Sequence, residues 1–281
     1  MTMIKIVTDS TAYLSEEFVQ EHDIRVVPLC VHFSHRDYKE GVDLSYEEFY
    51  DQLKEATELP TTSQPSAGEF HEVFQELAAA GHEIVAITIS SRLSGTWNSA
   101  MAAKEMLPEA EISVIDSLST AIGLQLMVEA AVEAIEAGSS RQQVLDRVEE
   151  IRDQILVLFV VDTLEYLAKG GRIGNAKAFL GTLLKVKPIL VLQDGAIEPY
   201  EQVRSKGKAK ARMLEIASEH LDGKAPEAKV AITQALVPEE AAALAQQLQA
   251  MLGCPQPSIR PVGPVIGTHT GPGVIGVAVY A

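Results

Sequence analysis

One segment narrows the choice of fold more than any other. The apolar run Ile84-Val85-Ala86-Ile87-Thr88-Ile89 leads through Ser90-Ser91-Arg92-Leu93-Ser94-Gly95-Thr96 into a helical stretch from Trp97 to Leu107. A strand feeding a helix in this way is the repeating unit of a parallel sheet with helical crossovers. In open sheets of that kind, ligands collect beyond the carboxyl ends of the strands. There the following helix offers unpaired N–H groups and the positive end of its dipole. Gly95 keeps the backbone bare, so a ligand oxygen can come close. The turn is therefore predicted to hold an anion. A second hydroxyl cluster, Thr61-Thr62-Ser63-Gln64-Pro65-Ser66, opens another helix. Ordinary helix capping is the alternative use of both clusters.

The rest of the chain alternates in the same manner. Lys5–Thr8 reads as a first strand ending at Asp9-Ser10-Thr11, and Ser15 caps a short helix with Glu16 and Glu17 in its first turn. Ile24–Phe33 reads as the next strand. Ser45-Tyr46-Glu47-Glu48 and Ser66-Ala67-Gly68-Glu69 both fit the capping box and open amphipathic helices. Ile112–Ile115 is a strand before an apolar helix from about Thr120 to Ala137, closed by Gly138. A helix over Arg141–Asp153 leads into a buried strand, Leu156–Val161, and there the texture changes. Ile189–Leu192 and Ile197–Val203, joined through Asp194-Gly195, predict an antiparallel hairpin. A basic helix (Lys206–His220), a strand (Val230–Thr233), an Ala-rich helix (Glu239–Leu252), a stretch punctuated by Pro255, Pro257, Pro261 and Pro264, and a last strand (Val274–Tyr280) follow.

A length of 281 residues lies near the size at which one core becomes two. Two domains are expected, a parallel α/β unit over 1–155 that carries the hydroxyl turns and a mixed α/β unit over 156–281. Hydrophobic residues make up 47% but aromatics only 5%, so the interior is aliphatic and suits a smooth, narrow cavity. The N-terminus runs directly into a strand, and no apolar run approaches the ~20 residues of a membrane span. Cys30 and Cys254 match no metal or redox spacing. A soluble cytoplasmic protein is expected.

The net charge of −16 argues against nucleic acid as a partner. The segment from Lys169 to Arg212 nevertheless holds ten basic residues against three acidic ones, a local +7, which suits an acidic or phosphate-bearing partner.

Gly271-Pro272-Gly273-Val274-Ile275-Gly276 spells a dinucleotide-like pattern, but no helix follows it. Gly170-Gly171-Arg172-Ile173-Gly174 lacks the lysine and hydroxyl of a P-loop, and Ser94 does not sit in G-x-S-x-G. No spacing suggests a metal, and no cofactor is expected. His269 lies in a glycine-rich segment, Gly267–Gly273, and offers a donor whose charge can change near neutral pH. Two rival uses stay open. One is a serine hydrolase or acyltransferase with Ser94 as nucleophile and His269 as base, for which no third residue orients the histidine. The other is a binding module whose Ser94 turn holds a phosphorylated small molecule.

Thr8-Asp9-Ser10, Thr61-Thr62-Ser63-Gln64-Pro65-Ser66, Ser90-x-x-x-Ser94-Gly95-Thr96, Gly170-Gly171-Arg172-Ile173 and His269-Thr270-Gly271-Pro272-Gly273 occur in this order. Together they resemble the DegV family of bacterial fatty-acid-binding proteins over essentially the whole chain. The resemblance implies a two-domain α/β carrier, not an enzyme, that encloses one long-chain fatty acid in an apolar tunnel covered by the C-terminal domain. In the FakB group it further implies presentation of the carboxylate to a separate ATP-dependent kinase for acyl-phosphate formation, with at most transient membrane contact. Thr62 and Ser94 match positions whose hydroxyls hold the carboxylate, with Gly95 and Thr96 beside them and His269 near the head group. Arg172 and Arg204 resemble arginines linked to kinase engagement, with Ser205 where the family commonly has threonine. Ala121–Val128 and Phe179–Leu184 are expected to help line the tunnel.

Overall fold

The structure is a computed structural model that describes residues 3–33, 36–180 and 187–281. β1 (Ile4–Asp9) is followed by α1 (Glu16–Glu21), where the Ser15 hydroxyl accepts from the Phe18 N–H. The expected strand over 24–33 is divided into β2 (Arg25–Val27) and β3 (Cys30–Phe33), which serve different sheets. The break falls at Pro28, which has no N–H to give to a ladder. β4 (Arg36–Lys39), α2 (Tyr46–Glu55), β5 (Thr61–Ser63) and α3 (Ala67–Ala79) follow. Both expected capping boxes form, Ser45 with Glu48 and Ser66 with Glu69. Next come β6 (Glu83–Thr88), α4 (Thr96–Glu105), β7 (Ile112–Asp116), α5 (Ala121–Glu136) and α6 (Arg141–Gln154).

β2, β1, β6 and β7 pair in that order, all parallel. A second, antiparallel sheet in the order β4-β3-β5 was not foreseen. β3 lies within the expected strand over 24–33, but β4 and β5 are four and three residues long, and β5 is Thr61-Thr62-Ser63, so neither shows the apolar period that marks a strand.

Beyond residue 155 come β8 (Leu156–Val160), α7 (Glu165–Lys169), β9 (Lys187–Gln193), β10 (Ala196–Val203), α8 (Lys206–Leu221), β11 (Lys229–Gln234) and α9 (Pro238–Leu252). β12 (Ser258–Pro261), α10 (Pro264–Thr270) and β13 (Ile275–Tyr280) end the chain. They form a mixed sheet, β10-β9-β8-β13-β11-β12. The β9–β10 turn is of the expected primed type, with φ +48° at Asp194 and +78° at Gly195. The segment around His269 is not a glycine-rich loop. It is α10, started by Pro264 at a position where proline is favoured. Gly267 lets it approach α2, since a Cβ there would stand 2.5 Å from the Tyr50 hydroxyl.

α5 joins the two larger sheets. Eleven of its sixteen residues are buried, packed on Ile6, Val85, Ile87 and Ile115 from one sheet and Val157, Ala231 and Ala278 from the other. A third core gathers α2, α10 and the small sheet around Phe49, Tyr50 and Val265. Among the described residues no helix is long and apolar enough to cross a membrane, and both cysteines are free.

Candidate functional site

The segments that follow β6 and β7 meet the β9–β10 turn, where Ser90, Arg92 and Leu118 surround Gly195. In the Ser90 turn, Leu93 and Ser94 N–H groups donate to Ser90 O, and the Ser90 hydroxyl donates across to Gly195 O at 2.7 Å. Arg172 closes the same seam from the second half of the chain, donating through Nε to Leu93 O (3.1 Å) and through Nη1 to Gly170 O (2.8 Å).

At this seam opens a channel whose envelope is about 850 Å³ including its mouth, of which the centre of a water molecule can occupy about 80 Å³. Space of that size so hard for water to fill is narrow. The parallel half contributes Ile89, Leu93, Ser94, Thr120, Ala121 and Ile122, and the small sheet with its flanks contributes Leu29, Thr62 and Gln64. Val157, Phe159, Leu192, Ile197, Val274 and Gly276 come from the six-stranded sheet and its edges, and Val265, Ile266 and His269 from α10. Of the expected lining stretch in α5, only Ala121 and Ile122 face the channel. Leu124, Met127 and Val128 belong to the core. Of the other stretch, residues 181–184 lie outside the described residues, and Phe179 packs in the core around the small sheet.

Polar atoms cluster at one part of this lining. His269 Nε2 lies 2.8 Å from Thr62 Oγ1, and Ser94 Oγ lies 2.9 Å from Thr96 Oγ1. Burial, with the Arg172 charge adding to it, lowers the His269 pKa to about 4, so the imidazole is neutral at neutral pH. Among the described residues its buried Nδ1 has no hydrogen-bond partner, and it faces Gly170, where any Cβ would collide with the ring. The Gly170-Gly171-Arg172 motif thus has two structural uses, room for an imidazole and a clasp across the seam. The pairing of Ser94 with His269 that the sequence left open is not formed. Ser94 is bonded to Thr96, His269 to Thr62, and among the described residues no group orients Nδ1.

Thr62, Ser94, Arg172 and His269 therefore share one cavity. Gly95 and Thr96 do not line it. Thr96 is fully buried with its hydroxyl on Ser94, and Gly95 sits against the Gln64 amide, where a Cβ would come within 3.0 Å. Arg204 is exposed just past β10 and lines no part of the channel. The reading of the sequence missed Gln64 and Thr120, whose residue types occur on any surface.

Two buried acids stand behind the site. Asp9, fully buried, accepts from the Thr11 N–H and hydroxyl and from the Ile89 N–H at 2.7 Å, tying β1 to the end of β6. Burial raises its pKa to about 6 against these hydrogen bonds. Glu40 accepts from the Ser10 hydroxyl (2.6 Å), the Tyr13 hydroxyl (3.3 Å) and the Val265 N–H (2.7 Å). The Tyr13 hydroxyl in turn accepts from the Ile266 N–H. α10 has no side-chain cap of its own, so Glu40 and Tyr13 satisfy its free N–H groups from 225 and 253 residues away. Burial raises the Glu40 pKa to about 7. In the sequence, Lys39-Glu40-Gly41 looks like any polar turn.

Fold and site together define an α/β protein with a narrow, largely aliphatic cavity whose lining includes hydroxyl, imidazole and guanidinium groups. The DegV family profile matches residues 3–281. A DegV domain-containing protein of Halalkalibacterium halodurans is 41% identical over 281 residues, covering 100% of this chain and 99% of that one. Among solved structures, a DegV protein from Thermus thermophilus, described as fatty-acid binding, superposes with a TM-score of 0.95 at 35% identity, both chains covered completely. A stearic-acid-binding protein from Eubacterium ventriosum gives 0.92 at 32% identity, with 99% and 98% of the chains covered. The chain belongs to the DegV family.

Proposed function

We propose that this chain carries one long-chain fatty acid, its alkyl tail in the channel and its carboxylate at Thr62, Ser94 and His269. The observation that carries the reading is the narrow aliphatic channel with its polar atoms gathered at Thr62, Ser94 and His269. Each CH₂ moved from water into such a channel contributes roughly 0.8 kcal/mol. A carboxylate entering it without donors would cost several kcal/mol or take up a proton. With His269 neutral, Nε2–H can donate to Thr62 Oγ1 and free the Thr62 hydroxyl proton for a carboxylate oxygen. Ser94 supplies a second hydroxyl, bonded to the Thr96 hydroxyl, and Gly95 and Thr96 offer the adjacent backbone N–H groups. Family members described as binding a fatty acid or stearic acid support the reading.

The finer proposal is a cytoplasmic carrier that does no chemistry on the bound fatty acid itself and presents its carboxylate to a partner ATP-dependent kinase, which performs the phosphoryl transfer. Neutral donors leave the carboxylate nucleophilic, Arg172 stands at the channel, and exposed Arg204 is free to meet a partner. The proposed boundary near residue 155 separates the strands of the parallel sheet from those of the six-stranded sheet.

Native mass spectrometry of the purified protein, followed by organic extraction, tests the lipid reading. An adduct of fatty-acid mass that leaves on extraction is expected. Protein without any such adduct, that also fails to take up added palmitate or oleate, overturns it. For the finer proposal, Arg204→Ala is expected to lower kinase-dependent acyl-phosphate formation while the adduct persists.

A further inference from the structure

Ser63 follows Thr62 on β5, and successive side chains of a strand point to opposite faces. Thr62 faces the channel. On the other face, Ser63 Oγ lies 2.8 Å from His32 Nε2, and His32 Nδ1 lies 2.6 Å from Asp37 Oδ1. The three residues come from three strands: Asp37 on β4 stands directly opposite His32 on β3, and Ser63 on β5 is two pairs removed, opposite Cys30, which puts it on the same face as His32. The register of the small sheet, not a loop, sets this row.

The order of atoms is that of a nucleophile, a base and an orienting carboxylate. Asp37 fixes the tautomer with the proton on Nδ1, which leaves the Nε2 lone pair to accept from the Ser63 hydroxyl. His269, on the channel side of the same strand, has no carboxylate on its second nitrogen. We propose that Ser63 is an activated nucleophile that hydrolyses small activated carboxylic esters. Access is from solvent, since the His32 and Asp37 side chains are 35% and 77% exposed, so short acyl groups suit it and long alkyl tails do not.

In the first half-reaction Ser63 Oγ attacks the ester carbonyl carbon while His32 Nε2 takes the hydroxyl proton. The bond to the alcohol oxygen breaks, its electron pair stays on that oxygen, and His32 returns the proton to it. Water then attacks acyl-Ser63 with one proton passing to His32. The bond to Oγ breaks, Oγ recovers that proton, and the free acid leaves.

The full-length protein is treated with a fluorophosphonate and read by intact mass and peptide mapping, with turnover of p-nitrophenyl acetate measured in parallel. One adduct on the peptide containing Ser63 is expected, absent in Ser63→Ala. His32→Ala should label about 100-fold more slowly, the size of a general-base contribution, and Asp37→Asn should fall between. Circular dichroism of each variant confirms folding. No adduct, an adduct on Ser94, or labelling of His32→Ala at the unsubstituted rate would overturn the proposal. Lipid content is read separately, so either proposal can fail while the other stands.

Discussion

β5 presents the same chemical pair, a hydroxyl beside an imidazole, on both of its faces. Inside, Thr62 meets His269 in a buried wall whose second ring nitrogen has no partner. Outside, Ser63 meets His32, which keeps a carboxylate. The contrast shows how burial selects function from similar parts. A buried ring without a counter-charge stays neutral and can only donate or accept, which suits a site that must hold an anion by hydrogen bonds. An exposed ring can keep an aspartate because water screens and solvates the pair, and that aspartate sets the ring up to take a proton.

The comparison breaks most readily at the inner hydroxyls. In Thr62→Val with Ser94→Ala, a bound carboxylate loses two charge-assisted hydrogen bonds at about 1.5–3 kcal/mol each. Fatty-acid affinity, measured by displacement of a fluorescent analogue, should fall roughly 100-fold or more, and unchanged affinity would remove the head group from this wall. Glu40→Gln tests the support behind α10. A carboxyl raised by burial binds its proton more tightly when folded, so stability is greatest when it is protonated and falls as pH rises from about 4.5 through 7. Urea unfolding of the unsubstituted protein should lose about 3 kcal/mol over that window relative to Glu40→Gln. Parallel pH curves would mean that Glu40 does not titrate there.

Gly170→Ala drives a methyl group into the His269 ring. With overpacking at about 1–3 kcal/mol, it should loosen fatty acid by roughly tenfold and leave Ser63 labelling unchanged. Equal loss on both faces would show that the small sheet itself had moved. The smallest effect is a missing one: His269 imidazole resonances of the lipid-free protein should not shift between pH 5.5 and 8, because the ring gains its proton only near pH 4. A titration step near 6.5 would put the ring in contact with water.

The architecture was legible where apolar period and punctuation agreed. Ile84–Ile89 with its turn, the Asp194-Gly195 hairpin and the capping boxes at Ser45 and Ser66 each carry a local physical signal. In the small sheet only β3, inside the expected strand over 24–33, carried one, because β4 and β5 are short and β5 is all hydroxyls. α10 was hidden because Gly267 and Gly271 read as a loop, whereas Gly267 is there for close packing on Tyr50. The site was legible in part. The family motifs put Thr62, Ser94, Arg172 and His269 on one list, and the structure places them in one cavity. Glu40 and Tyr13 act through contacts that span more than 200 residues, and Ser63 with His32 and Asp37 is joined only by strand register. No spacing rule reaches so far.

α5 is exposed only towards its C-terminal end, at Glu133 and Glu136. Its residues form the floor of the parallel half and the ceiling of the other, so neither half has a finished interior without it. Severing the polypeptide after residue 155 would strand Ile122, Leu126 and their neighbours against solvent and strip the second sheet of one wall. Thermal unfolding followed by one probe in each half is therefore expected to give coincident transitions, and separated midpoints would show that the shared helix does not couple the halves.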